Sequence, residues 1–432
     1  MKIGIVLYKF GSEEDFGSHL GSFHYLVKKI KRLGETEHQI CVIAPWVSFW
    51  RRGSSRLGNV TIIRYWPPLF SNVKLLPLHW LLRWLYLRQT QRVVLRSVRK
   101  HKLQAVYVRQ ARETGYAVAL IKEKLGVPFL FRQITAWQWH FHRPVAEVLA
   151  HAPLYQWLKK LGWHKLAESL LERLLGRRSQ IRYAKKIYQQ ADRLVFSTRG
   201  AALAEASLGL DMRKVVLLPE AVEEDTYAPR PDRAALGQSL GLQEGNVILY
   251  LGRINIAEKG IDRLLRASAL VAKQIPTIQV VLVGGGLAHE VSQVKRLIAE
   301  LGAEKFVSLV GKRPFSDVPR YINAATVVVV PSVWPEAFGR ITVEAMSCGV
   351  PVITSDTGGS PEVNVQGQTG LVVPAADSQQ LADAIIAILN DKTRAAAMGV
   401  AGRQRVLANY TYEQVIKRFL DIITSAVESN FK

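Results

Sequence analysis

Short apolar runs rich in β-branched residues alternate along this chain with longer stretches of helical period. The apolar runs predict buried strands, and the longer stretches predict helices that cover them. The predicted strands cover residues 1–8, 39–44, 105–109, 129–133, 194–197 and 215–219 in the first half, and 247–251, 278–283, 306–310, 326–330 and 350–354 in the second. The predicted helices include residues 19–33, 75–100, 115–125, 341–346 and 412–427. This alternation predicts an α/β protein built on parallel sheets.

The densest arrangement of chemically useful residues lies between residues 331 and 371. A loop after a predicted strand carries Glu336, Phe338 and Gly339, and Glu344 follows within the next predicted helix. The carboxyl ends of strands are the edge at which open α/β sheets bind ligands. A carboxylate there can accept hydrogen bonds from both hydroxyls of a vicinal diol, and amides that open a helix attract an anion. The simpler interpretation is that the two acids only complement a helix start.

Taken together, the residues of this stretch resemble the signature of glycosyltransferase family 4, whose hallmark Glu-x7-Glu is matched by Glu336 and Glu344. The other matching positions are Pro331, Ser332, Phe338, Gly339, Ala345, Met346, Gly349, Pro351, Val352, Gly358, Gly359, Glu362, Gly370, Leu371 and Val372. The resemblance is strong in the second half of the chain and looser in the first. It implies a retaining enzyme of GT-B fold, with two Rossmann-like, doubly wound domains facing across a cleft and a last helix that crosses back onto the first domain.

The resemblance also implies roles for individual residues. Glu344 is expected on the ribose diol of a nucleotide sugar and Glu336 on the transferred sugar, while Arg253 and Lys259 hold the diphosphate. Further donor contacts are expected from Gly17, Ser18, Gly252, Gly284, Gly311, Phe338 and Gly339. Two fixed cations can neutralise a leaving diphosphate. The sequence contains no Asp-x-Asp, so neither a metal ion nor any other cofactor is expected, the nucleotide sugar being a substrate.

At three places the chain departs from the patterns it is compared with. Residues 134–136 stand where the family often has a histidine near the reacting sugar, so His140 and His142 are candidates on the acceptor side, although loop histidines are commonly just solvated. The turn 219–222 is Pro-Glu-Ala-Val instead of Pro-Asn-Gly-Val. A nicotinamide-binding fingerprint starting at Gly284 fails, because His289 occupies the third glycine position.

The length of 432 residues exceeds one ordinary core and predicts two domains of about 200 residues each. The predicted division is an acceptor-binding domain at 1–219, a nucleotide-sugar-binding domain at 220–411, and a helix at 412–432 that packs back on the first domain. Charge differs sharply between the halves. Residues 1–200 hold 35 Lys and Arg against 11 Asp and Glu, a balance of +24, whereas the remainder is at −1.

Two basic segments with tryptophans carry much of this charge. In residues 75–100 the arginines Arg88, Arg92, Arg96 and Arg99 form one stripe, with Trp84, Leu87, Val94 and Val98 on another and Trp80 and Tyr86 near the start. Residues 154–186 mix Trp157, Leu161 and Trp163 with Lys159, Lys160, Lys165, Arg177 and Arg178. Basic amphipathic helices of this kind suit an anionic membrane surface. The alternative is the solvated outer side of helices that cover a sheet.

The remaining composition favours a cytosolic chain. Cys41 and Cys348 lie in apolar or helical contexts, the first residues form a strand pattern and not a signal peptide, and no uncharged apolar run reaches the roughly 18 residues of a membrane span. We therefore predict a metal-independent glycosyltransferase on the inner face of a membrane, moving a sugar to a lipid-linked or growing glycan acceptor. Nucleic acid is not expected as a partner. Two alternatives remain open: a basic nucleic-acid-binding protein, and a non-catalytic relative that only binds sugar nucleotides.

Overall fold

A computed structural model describes residues 1–8, 10, 20–45, 55–66, 76–109, 112–134, 157, 159–163, 165 and 177–430. The chain divides into two compact units. The first comprises Met1–Phe196, Ala202–Leu218 and Ile416–Lys432, and the second comprises Ser197–Ala201 and Pro219–Val415. The boundary in the middle of the chain therefore falls between Leu218 and Pro219.

An eight-stranded sheet forms the centre of the first unit. Its strands are β1 (Lys2–Leu7), β2 (Gln39–Pro45), β3 (Ser55–Leu57), β4 (Val60–Tyr65), β5 (Ala105–Arg109), β6 (Phe129–Arg132), β7 (Arg193–Phe196) and β8 (Val215–Leu217). They lie in the order β3-β4-β2-β1-β5-β6-β7-β8, and all neighbouring pairs are parallel except the β3–β4 hairpin. The strand order reverses at β1, which makes this a doubly wound sheet.

Helices pack around this sheet. Those described are Leu20–Gly34, Leu76–His101, Arg112–Ala119, Lys122–Leu125 and Arg177–Gln190, with Arg199–Leu203 at the boundary between the units. The last helix, Tyr412–Asn430, belongs to the first unit from Ile416 onward. Its Phe419 ring stands edge-on to Tyr107 of β5 at 5.0 Å between centroids, and Lys29 Nζ lies 5.0 Å from the centroid of the same ring. The C-terminal helix is thus part of the core of the N-terminal unit.

The second unit contains six parallel strands: β9 (Asn246–Leu251), β10 (Ile278–Val283), β11 (Val307–Gly311), β12 (Val327–Val330), β13 (Val352–Ser355) and β14 (Gly370–Val373). Their order is β11-β10-β9-β12-β13-β14, so the sheet reverses between β9 and β12. Its helices are Arg233–Ser239, Ile256–Lys259, Ile261–Gln274, Ala288–Glu300, Val318–Ala324, Arg340–Ser347, Ser360–Val363, Ser378–Asn390 and Lys392–Asn409.

Both faces of this second sheet are buried. Along β9, Ile248 and Tyr250 enter one hydrophobic cluster, whereas Val247 and Leu249 enter another on the opposite face. Successive side chains of a strand point to opposite faces, so a strand covered on both sides needs an unbroken apolar run. This explains why the parallel strands are visible in the sequence.

The structure corrects two sequence predictions in the first unit. The hairpin of β3 and β4 was not predicted, although Gly58-Asn59 between them is a two-residue hairpin signal and Gly58 has a φ of 56°. The single helix predicted at 115–125 is two helices, Arg112–Ala119 and Lys122–Leu125. The second begins after Ile121, whose φ and ψ of −114° and 12° are not helical, so the hydrogen-bonded ladder is interrupted there.

The long helix Leu76–His101 also buries a different stripe from the predicted one. Trp84 is 49% exposed, and Tyr86 is fully buried. The buried stripe consists of Arg83, Tyr86, Thr90, Val94, Ser97 and Val98. Three of its polar members have partners inside the unit: Tyr86 Oη hydrogen-bonds Thr114 Oγ1 at 2.5 Å, Thr90 Oγ1 hydrogen-bonds Tyr65 Oη at 2.8 Å, and Arg83 Nη2 donates to Glu113 at 3.1 Å. Because these pairings satisfy the polar groups, the helix can bury them in place of apolar residues.

Both cysteines are free and buried, and burial raises the pKa of each thiol to about 12. No helix among the described residues has the length and apolarity to cross a membrane.

Candidate functional site

The candidate site lies where the second sheet reverses. Strands β9 and β12 are neighbours, with Val328 paired to Leu249. Gly252-Arg253 follows the carboxyl end of β9, and the loop 331–339 follows the carboxyl end of β12. A reversal of strand order opens a crevice at this edge, since the connections on either side leave in opposite directions. Residues that are 77 positions apart in sequence therefore meet here.

At this edge, Glu336 accepts two hydrogen bonds on one carboxylate oxygen. Lys259 Nζ donates to Glu336 Oε1, and Ser332 Oγ donates to the same oxygen at 2.7 Å. The side chains of Lys259 and Glu336 each retain 21% exposure. The pair is therefore enclosed on most sides, yet a ligand can reach it from the solvent.

Backbone packing sets the distance between these partners. Gly260, directly after Lys259, has a φ of 62°, and a Cβ on it would lie 2.0 Å from the carbonyl oxygen of Pro331. The amides of Val333 and Trp334 both donate to the carbonyl oxygen of Glu258 at 3.1 Å. Only glycine tolerates both this conformation and this contact. The short helix Ile256–Lys259 and the loop after β12 are therefore held in fixed positions relative to each other.

Electrostatics keep the Glu336 carboxylate ionised. Burial alone would raise its pKa, but the charge and hydrogen bond of Lys259, the Ser332 hydroxyl and the charge of Arg253 together hold the pKa below its ordinary value. Favourable interactions with the charged form outweigh desolvation here. Glu336 is accordingly a carboxylate that accepts hydrogen bonds and not an acid that supplies a proton.

Arg253 is the second cation at this edge. Its Nη2 pairs with Glu258 Oε2, and its side chain is 41% exposed. Its carbonyl oxygen accepts a hydrogen bond from Tyr250 Oη at 2.7 Å. Burial first, and then the charge of Glu336, raise the pKa of Tyr250 although Arg253 opposes this, so the phenol stays protonated and keeps donating. Tyr250 thereby holds the backbone from which Arg253 extends.

Glu344 stands apart from this ion-pair cluster. It is buried within the helix Arg340–Ser347, and Arg340 Nε lies 3.9 Å from its Oε1. Arg340 Nη1 is also 3.9 Å from Glu220 Oε2, which belongs to the Pro-Glu-Ala-Val turn. A buried carboxylate needs such polar partners, and Arg340 supplies one for each of the two acids.

The predicted glycines bring the strand ends close together. The amide of Gly252 donates to Val283 O and the amide of Gly284 donates to Gly311 O, both at 3.0 Å. A Cβ on Gly284 would lie 1.6 Å from the carbonyl oxygen of Gly252. These contacts make Gly252 and Gly284 necessary for the shape of the edge, whatever ligand it binds.

Gly339 and Phe338, just before the helix Arg340–Ser347, also stabilise the local structure. Gly339 precedes Arg340–Ser347 with a φ of 76°, a conformation that glycine adopts readily. The Phe338 ring is buried and stands edge-on to Tyr410 at 5.5 Å between centroids. Only the backbone of Phe338 is therefore available to a ligand, since its side chain belongs to the core.

Four predicted site residues, Gly17, Ser18, His140 and His142, lie outside the described residues. Five supporting residues were not predicted as part of the site: Tyr250, Glu258, Glu220, Ser332 and Arg340. An acid five positions after an arginine was the available signal for Glu258. Within the described part of the chain, no group of three or more His, Cys, Asp or Glu side chains is arranged to hold a metal ion.

The whole fold matches solved glycosyltransferase structures. Sucrose-phosphate synthase from Thermosynechococcus elongatus superposes with a TM-score of 0.73 at 21% identity, covering 99% of this chain and 100% of that one. Anabaena HepE in complex with UDP-glucose superposes with a TM-score of 0.69 at 19% identity, covering 98% of this chain and 100% of that one. The predicted GT-B fold, with its two Rossmann-like units, is confirmed.

The sequence comparisons show which proteins the chain is similar to. Residues 232–405 match the family described as Glycosyl transferases group 1. A GDP-mannose-dependent alpha-(1-6)-phosphatidylinositol monomannoside mannosyltransferase of Mycolicibacterium smegmatis is 32% identical over 252 residues, which are 57% of this chain and 65% of that protein. A D-inositol 3-phosphate glycosyltransferase of Nocardia farcinica is 34% identical over 223 residues, 50% of this chain and 49% of that protein. The resemblance to glycosyltransferase family 4 is confirmed, and the matched region spans about half to two thirds of these relatives.

Proposed function

We propose that this chain is a retaining glycosyltransferase that transfers a sugar from a nucleotide-sugar donor to a hydroxyl acceptor. The observation that carries the proposal is the cluster of Lys259, Glu336 and Ser332 beside Arg253, at the carboxyl edge where the second sheet reverses. The names of the two relatives, a mannosyltransferase and a glycosyltransferase, support the transferase class.

The two cations are proposed to hold the donor diphosphate. Both are paired with carboxylates in this structure, Arg253 with Glu258 and Lys259 with Glu336. Because guanidinium and ammonium groups carry several donors each, they can bind phosphate oxygens while staying close to these acids. The partner acids thus position the cations before the donor arrives. As the bond to the sugar breaks, the negative charge on the departing diphosphate grows, and preorganised cations stabilise it.

The carboxylates are proposed to bind the hydroxyls of the donor. Glu336, kept ionised by its neighbours, accepts from hydroxyls of the transferred sugar, and Glu344 accepts from the ribose diol. The new bond to the acceptor oxygen forms on the face from which the diphosphate leaves, which retains the configuration. A phosphate oxygen of the leaving group takes the proton of the acceptor hydroxyl, so neither a protein nucleophile nor a divalent metal ion is required.

The donor and acceptor classes are proposed from the relatives. One relative is named for GDP-mannose and a phosphatidylinositol monomannoside, another for D-inositol 3-phosphate, and a neighbouring structure contains UDP-glucose. We take a nucleotide-activated hexose as the donor and a lipid-linked or growing glycan as the acceptor. GDP-mannose and UDP-glucose are the first donors to test.

A membrane-surface location on the cytoplasmic side forms part of this proposal. Trp84, Trp157 and Trp163 are 49%, 56% and 64% exposed. The Arg88 guanidinium lies 5.5 Å from the Trp84 ring, and Lys159 and Lys160 are exposed beside Trp157. Tryptophan beside exposed cations is the composition of proteins that rest at an anionic headgroup layer. The balance of +24 in residues 1–200 supports the same surface.

The test is donor binding and hydrolysis across a panel of nucleotide sugars. At least one donor should raise the unfolding temperature of the wild-type chain and be hydrolysed slowly without acceptor, and Arg253→Ala should lose both effects. Binding without any hydrolysis or transfer would favour the non-catalytic alternative. Binding of duplex DNA with no binding of any nucleotide sugar would overturn the proposal in favour of a nucleic-acid-binding protein.

A further inference from the structure

A cavity of about 290 Å³ lies at the amino edge of the sheet in the first unit. Lys2 opens β1, Gln39 opens β2, and Thr61 is the second residue of β4; all three line the cavity. The remaining polar wall is Lys100, His101 and Lys102, where the helix Leu76–His101 ends. Ligands of doubly wound sheets bind at the carboxyl edge, so the usual rule for this fold does not account for a polar cavity at the amino edge.

The described lining of this cavity is basic. No acidic residue is among those that line it. Among the described residues, no carboxylate forms an ion pair within 4.0 Å with Lys2, Lys100 or Lys102. Burial, and then the charges of Lys100 and Lys2, lower the pKa of His101. Three lysines therefore line a small space that has no acidic residue in its described lining.

Complementing the helix dipole does not require so much charge. The C-terminus of a helix carries about half a negative charge, for which one cation suffices. Here the last carbonyl groups are also capped by backbone amides: Leu103 N donates to Val98 O at 3.0 Å and Lys102 N donates to Arg99 O at 3.4 Å. Capping of this kind satisfies the helix end without side chains. The three ammonium groups consequently leave a surplus of positive charge.

Lys102 adds an observation that is independent of charge. Its φ is 51°, and Ala376 is the only other non-glycine residue with positive φ among those described. Glycine is the usual residue at this position of a helix cap, because a side chain there is strained. Strained residues of this kind cluster at functional sites. At Lys102 the strain is accompanied by an ammonium group at the wall of the cavity.

The backbone around the cavity is held in place by hydrogen bonds. Lys2 N donates to Gln104 Oε1 at 2.9 Å, and Gln104 N donates back to Lys2 O at 2.8 Å. Gln39 N donates to Met1 O at 2.9 Å. The starts of β1 and β2 and the turn after the helix therefore have fixed backbone positions before any ligand is bound, and Lys2 and Lys102 extend from this fixed backbone.

We propose that this cavity binds the phosphate group of a small phosphorylated molecule or of a lipid headgroup. A phosphate offers enough oxygens to accept from Lys2, Lys100 and Lys102 together, and the Thr61 hydroxyl and Gln39 amide are further donors. The site lies in the first unit, and it does not depend on the donor site of the second.

The test compares two double variants that lose the same charge. Lys2→Gln with Lys102→Gly removes two ammonium groups from the cavity, and glycine suits the backbone at residue 102. Lys31→Gln with Lys124→Gln removes two exposed lysines elsewhere in the first unit and is the matched control. Calorimetry with glycerol 3-phosphate measures soluble phosphate, with glycerol as the uncharged control. Co-sedimentation with vesicles containing phosphatidic acid measures the headgroup source.

Wild type and the control variant should bind one of the two probes, and the cavity variant should bind it at least about tenfold more weakly, the scale of losing a charge-assisted hydrogen bond. Loss with glycerol 3-phosphate identifies a soluble ligand, and loss with vesicles alone identifies a headgroup. Unfolding temperatures no lower than that of wild type would show that the fold is intact. No binding of either probe by wild type, or equal weakening in both double variants, would overturn the proposal.

Discussion

Gly358 packs directly against the backbone of Glu336. A Cβ on Gly358 would lie 2.3 Å from the carbonyl oxygen and 2.8 Å from the amide nitrogen of Glu336. The next residue, Gly359, donates its amide hydrogen to that same carbonyl oxygen at 2.7 Å. The glycine turn after β13 therefore fixes the loop after β12, and with it the carboxylate that pairs with Lys259.

From this contact we expect Gly358→Ala to damage both stability and activity. Gly367 provides the matched control, because its φ of 74° is similar to the 58° of Gly358 but nothing lies within 4 Å of its Cβ position. Each alanine bears the cost of the left-handed conformation, about 1–2 kcal/mol. Gly358→Ala should lose about 1–3 kcal/mol more, the cost of overpacking, in urea unfolding. Equal losses in the two variants would show that the contact with Glu336 is unimportant.

Glu344→Ala and Arg253→Ala should each reduce transfer at least about a hundredfold, the scale of losing a charge-stabilising contact. For Arg253→Ala we expect an unfolding temperature close to wild type, since the side chain is 41% exposed. Glu344 is buried near Arg340, so its variant needs a stability measurement beside the kinetics. Glu304→Ala, at an exposed position of the same unit, is the control. Normal turnover of either site variant with saturating donor would show that the substituted residue does not act in the site.

The lowered pKa of Glu336 predicts how acid affects stability. Its ordinary value is 4.5 and its value in the folded chain is lower, so ionisation stabilises the fold fully above pH 4.5 and this contribution is lost as the pH falls further. Glu336→Gln lacks this pH-dependent stabilisation, because its side chain does not ionise. The difference in unfolding free energy between wild type and Glu336→Gln should therefore shrink below pH 4.5, measured by urea unfolding from about pH 6 to about pH 3. A difference that stays constant across this range would contradict the ion pair with Lys259.

The sequence was sufficient for most of the parallel strands and for the edge that holds the site, although β3, β4 and β14 were not predicted. Apolar runs such as 278–283 show that a strand is covered on both faces, and ligands of such sheets bind beyond the strand ends. It was harder to predict which side of Leu76–His101 is exposed, because Arg83 and Thr90 are buried with polar partners while Trp84 is exposed. Periodicity assigns tryptophan to the core and arginine to solvent. The periodicity of the sequence does not indicate tertiary contacts such as the ion pair between Arg83 and Glu113.

The proposed pairing of Arg253 and Lys259 with the donor diphosphate predicts catalysis without a divalent ion. Wild-type protein dialysed against a chelator should keep transfer activity within about twofold, since Arg253 and Lys259 are proposed to supply the positive charge that a metal would otherwise provide. The measurement is transfer rate with and without added magnesium or manganese. Full loss of activity in chelator, restored by either metal, would contradict the diphosphate role of these two residues.

The last prediction concerns the basic side of the helix Leu76–His101. Arg88, Arg92, Arg96 and Arg99 are all exposed, and Arg92, Arg96, Arg99 and Lys100 line a groove on its surface. Each basic residue near an anionic leaflet contributes about 1 kcal/mol, so four of them supply a substantial part of a docking energy. Co-sedimentation with anionic vesicles should be strong at low salt and weak at high salt for wild type, and should be lost when the four arginines are changed together to Glu.

The matched control for this variant changes Lys273, Lys295, Arg296 and Lys305 to Glu, four exposed positions of the second unit that carry the same total charge. Net charge alone would weaken binding equally in both quadruple variants, whereas docking through the helix weakens it only in the first. Transfer to a lipid-linked acceptor should fall with vesicle binding, while hydrolysis of the donor in solution should not. Equal binding of neutral and anionic vesicles by wild type, or a helix variant that binds like its control, would rule out docking through this helix.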